Sequence, residues 1–334
     1  MDVARGGAVP VVLVLGGTGF IGRHAAAALL AGGCTVVVGS RHPQRARRRL
    51  GPGLLGCALR EVRMERSLCA GDWAGVLDGV DAVVNCVGIL RQRGRETYDR
   101  VHHRAPAALA EACARAGVRL VHVSALGLRE AVRSRLLHSK RAGEDAIRAS
   151  AADWCIVRPS LLDGVGGFGA RWIRRVARWP VHLLPSNAVG RIAAMDVAEL
   201  GEALAKLAVA PSVAPGGREY ELGGPTARPI GDQLQAMSGR RRGALQLRLP
   251  AWLARLGSHA CDLLHLTPFS FGHYELLRFD NCPRPNRLPE LLGRLPRCVA
   301  APPDGRRPAV TGVDTTAGNS RYDPAAAAAR AWPR

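Results

Sequence analysis

Residues 11–24 read VVLVLGGTGFIGRH, an apolar run that passes straight into glycines at every third position. The run Val11–Leu15 is too short for a buried helix and reads as a strand buried on both faces. Gly16 permits the tight turn out of that strand. Gly19 lets backbone N–H groups approach a pyrophosphate, and Gly22 lets the following helix pack closely on the strand. Thr18, Phe20 and Ile21 complete the loop and start an Ala/Leu-rich helix over residues 20–31. The strand before the glycines and the helix after them turn a weak motif into a dinucleotide-site expectation.

At 334 residues with 47% hydrophobic content, the chain can bury a large core as one α/β domain or a main domain with a small one. No run approaches the roughly 20 apolar residues of a spanning helix. Residues 9–15 are too short, and too soon followed by the glycine loop, for a signal peptide. Nine scattered cysteines without a CxxC pair point to reduced thiols rather than disulfides or a metal site. A cytoplasmic protein is expected, with peripheral membrane attachment left open. The net charge of +20 is almost wholly arginine, since Lys140 and Lys206 are the only lysines. Abundant Arg, Ala, Gly and Pro together suggest compositional bias. With only 4% aromatic residues for base stacking, nucleic acid is disfavoured as a partner. An anionic membrane surface or an acidic protein stays open.

The second strand, residues 35–38, should end near the cofactor ribose, where an NAD site usually carries a carboxylate. Here the sequence is Gly39-Ser40-Arg41, without one. Ser40 and Arg41 suit a 2′-phosphate by hydrogen bonding and charge pairing, so NADP is expected over NAD. A third strand is expected over residues 58–64 and a fourth over 81–87, leaving Asn85 and Gly88 at the edge where ligands lie. A long helix over 98–117 precedes a fifth strand over 119–123, which delivers Ser124 to the same edge. A helix over 134–149 and a sixth strand over 154–157 follow, the strand running into Arg158, a further cofactor-binding candidate. Repeated strand, polar turn and helix define a doubly wound parallel sheet.

Taken together, GGTGFIG, VVNCVG, VHVSALG, the SKxxGE of residues 139–144, IVRPS and MDVAE resemble the extended and atypical short-chain dehydrogenase/reductases. The chain is similar, within them, to bacterial relatives of the Rossmann-fold accessory subunit of respiratory complex I. The resemblance spans about residues 10–210 and implies a Ser after the fifth strand and a Tyr-x-x-x-Lys on the next helix. Tyr is the acid/base, Lys lowers its pKa and holds the nicotinamide ribose, and Ser orients a carbonyl. Ser124 and Lys140 match, but the Tyr position holds Leu136, which cannot exchange a proton. A lysine kept at this place in an arginine-dominated chain argues that cofactor binding is retained. His102 or Tyr98, on the preceding helix, are candidate substitutes for the missing acid; His138 lies on a different helix face.

Further on, residues 164–169 read as a gate-like loop and 171–179 (RWIRRVARW) as a basic helix. Asp196 is an expected N-cap. Residues 250–266 form an apolar stretch expected to pack within a small C-terminal part, with a lipid-tail, quinone-tail or membrane-interface surface as the alternative. The expected division is a Rossmann domain over 1–225, a substrate or interaction part over 226–298, and a disordered tail over 299–334. The function expected is NAD(P) binding with reduced or absent standard dehydrogenase activity, in a role accessory to a respiratory or quinone-related system. The alternatives are an active NADP(H)-dependent oxidoreductase or epimerase with a displaced acid, and a basic membrane- or protein-interaction module.

Overall fold

In the computed structural model, residues 9–129, 133–211, 217–239, 243–264 and 267–299 are described. The tail expected from residue 299 therefore lies outside the described residues except for Val299 itself. The strand–turn–helix rhythm of the sequence is realised as β1 (Val11–Leu15), α1 (Phe20–Ala31), β2 (Thr35–Ser40), α2 (Pro43–Arg47) and β3 (Ala58–Glu61). Next come α3 (Ala74–Leu77), β4 (Ala82–Asn85), α4 (Ala105–Ala116), β5 (Arg119–Val123), α5 (Arg135–Arg148) and β6 (Trp154–Pro159). β3 stops short of the expected residue 64, because the chain turns over residues 63–67 on hydrogen bonds to the Arg63 carbonyl.

The second half contributes β7 (Leu162–Asp163), α6 (Phe168–Ala177), β8 (Val181–Pro185), β9 (Arg191–Ile192), β10 (Met195–Asp196), α7 (Val197–Val209) and β11 (Arg218–Leu222). It closes with β12 (Arg228–Pro229), α8 (Ile230–Ser238), β13 (Leu245–Leu249), α9 (Ala251–Leu264), α10 (Phe271–Leu276) and α11 (Leu288–Leu292). Asp196 caps α7 as expected, its carboxylate accepting from the Ala198 N–H at 2.7 Å. α6 begins three residues before the expected basic helix, and Trp179 lies beyond its end, exposed.

Seven parallel strands form one sheet in the order β11-β6-β5-β4-β1-β2-β3. The order reverses between β1 and β4, so a crevice opens at their carboxyl ends. Helices α1 and α7 cover one face, with Ala25, Ala26, Leu29, Leu200 and Leu204 buried against Val12, Val14 and Val84. On the other face, Ala105, Leu109, Cys113 and Ile147 pack on Leu13, Val83, Leu120 and Ile156. This layering leaves little room for polar groups within the sheet and puts the ligand edge at the ends of β1, β4, β5 and β6. The shorter pairs β7–β10, β9–β12 and β8–β13 decorate the second half.

The expected single helix over 98–117 is broken in two. Residues 99–104 form a π-turn before α4. Pro106 has no N–H to offer the His102 carbonyl, so the regular ladder cannot continue there. That carbonyl meets the backbone of α5 instead: a Cβ on Gly143 would lie 1.9 Å from it.

The C-terminal segment is tied to the main body by Glu199 on α7. Its fully buried carboxylate accepts from the Arg294 guanidinium and from the Arg297 N–H at 3.0 Å. Glu199→Ala is expected to cost about 2 kcal/mol in urea unfolding, the range for hydrogen bonds to a charged group. Glu202→Ala, which removes only an exposed partner of Arg294, should cost less than about 0.5 kcal/mol.

Candidate functional site

The glycine turn has the form expected of a phosphate cradle. Gly16 adopts φ +72°, and its carbonyl accepts from the Gly19 N–H at 2.8 Å. A Cβ on Gly22 would lie 2.3 Å from the Gly16 oxygen, so only glycine fits. Gly19 starts α1 without a side-chain cap, and the first turn holds no acidic residue. Its orphan N–H groups and positive dipole end are therefore free to meet an anion. Thr18, Phe20 and Ile21 are half-buried around this turn. The 164–169 loop lies over it: Arg23 donates to the Val165 carbonyl at 3.1 Å, and Gly167 abuts the Phe20 ring.

Asn85 is fully buried at the end of β4. Its Oδ1 accepts from the Val87 N–H at 3.1 Å, which leaves its amide to donate to His122 Nδ1 at 3.1 Å. Gly88 follows, and a Cβ there would stand 3.8 Å from Lys140 Nζ and 3.7 Å from His102 Nε2. Lys140 thus reaches the carboxyl edge of β4 from α5, as the motif requires. Its ammonium is half-buried and makes no hydrogen bond among the described residues. Burial lowers its pKa from the usual lysine value, against the pull of Glu144. Ser124, at the end of β5, is buried; its hydroxyl lies near enough to the Glu144 carboxylate to help lower that group's pKa, but makes no hydrogen bond of good geometry among the described residues.

Leu136 fills the tyrosine position as packing. It is buried, and a Cβ on Gly272 of α10 would lie 3.2 Å from its Cδ2. The expected substitutes do not replace the acid. His102 Nε2 accepts from the Ile89 N–H at 3.0 Å, so Nδ1 carries the proton and donates to Ser139 Oγ at 3.1 Å. Ser139 in turn donates to the Leu136 carbonyl at 2.9 Å. Both nitrogens of His102 are committed, and burial holds its pKa well below the ordinary value. Tyr98 donates to the Leu90 carbonyl at 2.8 Å and stacks on His102, so it holds the ring rather than a substrate.

Two cofactor-binding candidates have other partners. Arg158 clamps the Glu144 carboxylate through two nitrogens, at 2.8 and 2.6 Å, and reaches Glu219 at 2.7 Å. Burial raises the Glu144 pKa, but hydrogen bonding and charge from Arg158, the Ser124 hydroxyl and the Arg148 charge together outweigh it, and the net shift is downward. This guanidinium is engaged by two carboxylates within the fold. Arg41, exposed at the end of β2, is ion-paired with Glu96 from the loop after β4, while Ser40 Oγ accepts from the His42 N–H at 3.3 Å. A cleft of about 620 Å³ runs from Leu126 and Gly127 past Glu144 and Arg158 to Asp280 and Arg284. Among the described residues, no group of three His, Cys, Asp or Glu could hold a metal.

Sequence reading missed His122, Glu144, Glu96 and Arg91 as organising residues. The single signal for His122 was a polar residue inside the apolar strand VHV. Arg91 donates to the carbonyls of Cys261, Thr267 and Phe269 and pairs with Asp262, so its role depends on residues 170 or more positions away.

Residues 16–175 match the family model described as NAD(P)H-binding. That match covers the glycine cradle, the edge residues and Lys140. Residues 16–175 have the fold of an NAD(P)-binding domain. Over 162 residues the chain is 34% identical to a ceramide reductase of Caulobacter vibrioides. The match takes in 47% of this chain and 47% of that one, so the chain spans about half the length of the curated relative it matches. Among solved structures, a nucleoside-diphosphate-sugar epimerase of Staphylococcus aureus superposes with a TM-score of 0.66 at 13% identity, over 86% of this chain and 97% of its own. MoeE5, in complex with UDP-glucuronic acid and NAD, gives a TM-score of 0.59 at 20% identity over 86% and 94%. The Thermus thermophilus UDP-glucose 4-epimerase complex with NAD gives 0.54 at 19% over 72% and 86%. These likenesses show that the NAD(P)-binding domain has the epimerase and short-chain dehydrogenase fold.

Two predictions follow the geometry of the NAD(P)-binding domain. Gly19→Asp places a carboxylate where the anion sits and should weaken NADPH binding at least about tenfold by calorimetry, with the far-UV spectrum unchanged. Burial also pushes His122 and His273 down to about 4 from an ordinary 6.5, and holds His102 well below that ordinary value. Between pH 6.5 and about 4 the unfolded chain then binds protons that the folded chain refuses. Stability should fall with pH through that window, and His122→Gln should flatten the slope of urea midpoint against pH.

Proposed function

We propose that the protein is an NADP(H)-dependent reductase of a carbonyl carried by a hydrophobic, membrane-derived substrate, working without the usual tyrosine. The observation that carries this reading is the pairing of Lys140 and Ser124 at one edge. A lysine ammonium that makes no hydrogen bond among the described residues and a buried hydroxyl beside the Glu144 carboxylate lie at the edge of the crevice that holds the nicotinamide end in this fold. The nicotinamide nucleotide, when bound, supplies or accepts hydride. Ser124 is then the hydrogen-bond donor that orients the carbonyl. Lys140 holds the ribose and, with its acidity raised by burial, is the proton source for the developing alkoxide. The 34% identity to a ceramide reductase supports a reductase with a lipid substrate over a sugar-nucleotide epimerase. The 2′-phosphate of NADP would meet Ser40 and take Arg41 from Glu96, and no carboxylate at the end of β2 favours NAD instead.

A second reading is favoured by Leu136, which packs under α10 with no acid beside it. In this reading the nucleotide is a bound structural or sensing ligand, and the protein is accessory to a respiratory or quinone-related system. One experiment separates the two. Stripped protein is titrated with NADPH and NADH, then given NADPH deuterated at C4 together with a ceramide-class ketone. The reductase reading expects NADPH to bind at least about tenfold tighter than NADH, a margin that Arg41→Ala removes. It also expects deuterium in the product, lost about a hundredfold with Lys140→Met. Tight binding without deuterium transfer would establish the accessory reading. Failure to bind either nucleotide would overturn both.

A further inference from the structure

Helix α9 is built inside out. At 100° per residue, Trp252, Leu253, Leu256, Leu263 and Leu264 fall within an arc of about 120°. All five are exposed, Trp252 at 69% and Leu263 at 78%, whereas the buried residue of the helix is Ser258. The sequence pattern led to the expectation that this apolar stretch packs inside the C-terminal part; its apolar arc faces solvent instead. β13 leads into α9 through Pro250 alone, and β8, its parallel partner, packs against α9. This ribbon adds Leu183, Leu245 and Leu247, also exposed, to the same part of the molecule. Such a run is more than the scattered apolar residues of an ordinary surface.

The charge around α9 has one sign. A cleft of about 450 Å³ at the start of the helix is lined by Trp252, Phe271 and Tyr274 together with the exposed arginines 133, 255 and 278. Arg255 lies over the Phe271 ring at 5.8 Å. The acidic groups nearby are turned inward. Asp262 pairs with Arg91 and accepts from the Phe271 N–H, and buried Glu275 accepts from the Arg133 and Ser134 N–H groups at 2.7 and 2.6 Å. In sequence, Arg240, Arg241 and Arg242 stand just before β13, in a chain of net charge +20.

We propose that α9 and the adjoining β8–β13 ribbon form a docking surface for an anionic lipid bilayer. Trp252, Leu256 and Leu263 enter the acyl boundary, and Arg255, Arg278 and Arg133 hold lipid phosphates around the tryptophan. An exposed apolar arc beside unopposed arginines is the pattern of a helix lying in the membrane interface. The proposal rests on the membrane-derived substrate proposed above, since docking places α9 and the Arg91-bound loop at the lipid surface. Its test needs neither nucleotide nor turnover, so the two can fail separately.

The full chain is floated with vesicles of phosphatidylcholine and phosphatidylglycerol in equal parts, and with phosphatidylcholine alone. Binding to the mixed vesicles should exceed binding to the neutral ones at least about tenfold and fall as salt is raised. Trp252→Ser with Leu263→Ser, and separately Arg255→Glu with Arg278→Glu, should each reduce it about tenfold while NADPH affinity stays that of the parent. Equal binding to both vesicle types, absence of binding to the mixed vesicles, or variants that float like the parent would overturn the proposal. So would a dimer seen by light scattering without lipid and dispersed by the same substitutions, since the face would then belong to a second copy.

Discussion

The close approach of α5 to the π-turn at residues 99–104 sets the site. Gly143 brings the α5 backbone against the His102 carbonyl, which Pro106 has left without its helical partner. Once that contact is made, His102 is fixed between the Ile89 N–H and Ser139, and the loop after β4 is fixed with it. The same register sends Lys140 to Gly88 and Glu144 to Arg158. A side chain at position 143 would push α5 outward and move the lysine, the serine relay and the buried carboxylate together. Close packing transmits such a shift rather than absorbing it.

Loss of the tyrosine has been met by a rebuilt surrounding rather than a vacancy. Leu136 is buried beneath Gly272, the start of α5 is held by Glu275 of α10, and α10 is joined to the loop after β4 through Arg91. A leucine here fills apolar volume that a phenol would share with an unpaired hydroxyl. The site therefore has two requirements of opposite kind. Its nucleotide side keeps groups with unmet hydrogen-bonding capacity, in the α1 N-terminus, Lys140 and Ser124. Its other side, at Leu136, is sealed by apolar packing.

Much of this was legible in the sequence wherever the constraint was local. The glycine spacing predicts the cradle because each glycine answers a contact within a few residues, and Gly117 ends α4 in the left-handed conformation. Lys140 and Ser124 were legible because motif spacing converts to position along a helix and a strand end. Arg158 and Arg41 have internal partners that the sequence did not show, for a shared reason: a guanidinium beside a ligand edge reads as a binding group until its partner is known. Those partners, Glu144 and Glu96, lie 14 and 55 positions away in sequence, beyond any periodic signal. The break within residues 98–117 had a visible cause in Pro106, but Pro near a helix start is ordinarily tolerated.

The arginine content can be divided on physical grounds. Guanidiniums 91, 119, 158 and 174 each lie against a carboxylate, and three of them are largely buried, so their charge is spent within the fold. A compositional bias towards arginine would account for arginine standing where lysine would serve. It does not explain why carboxylates near α9 are all internally engaged while arginines 255 and 278 face water beside an exposed tryptophan. Ordinary drift scatters both signs over a surface, and a solvated helix gains from opposite charges spaced a turn apart. α9 lacks such pairs, and its apolar arc is presented outward at the cost of hydrating five large side chains. That arrangement becomes stable when the arc is removed from water, so the bias supplied the residue type and the placement reflects a surface to be covered.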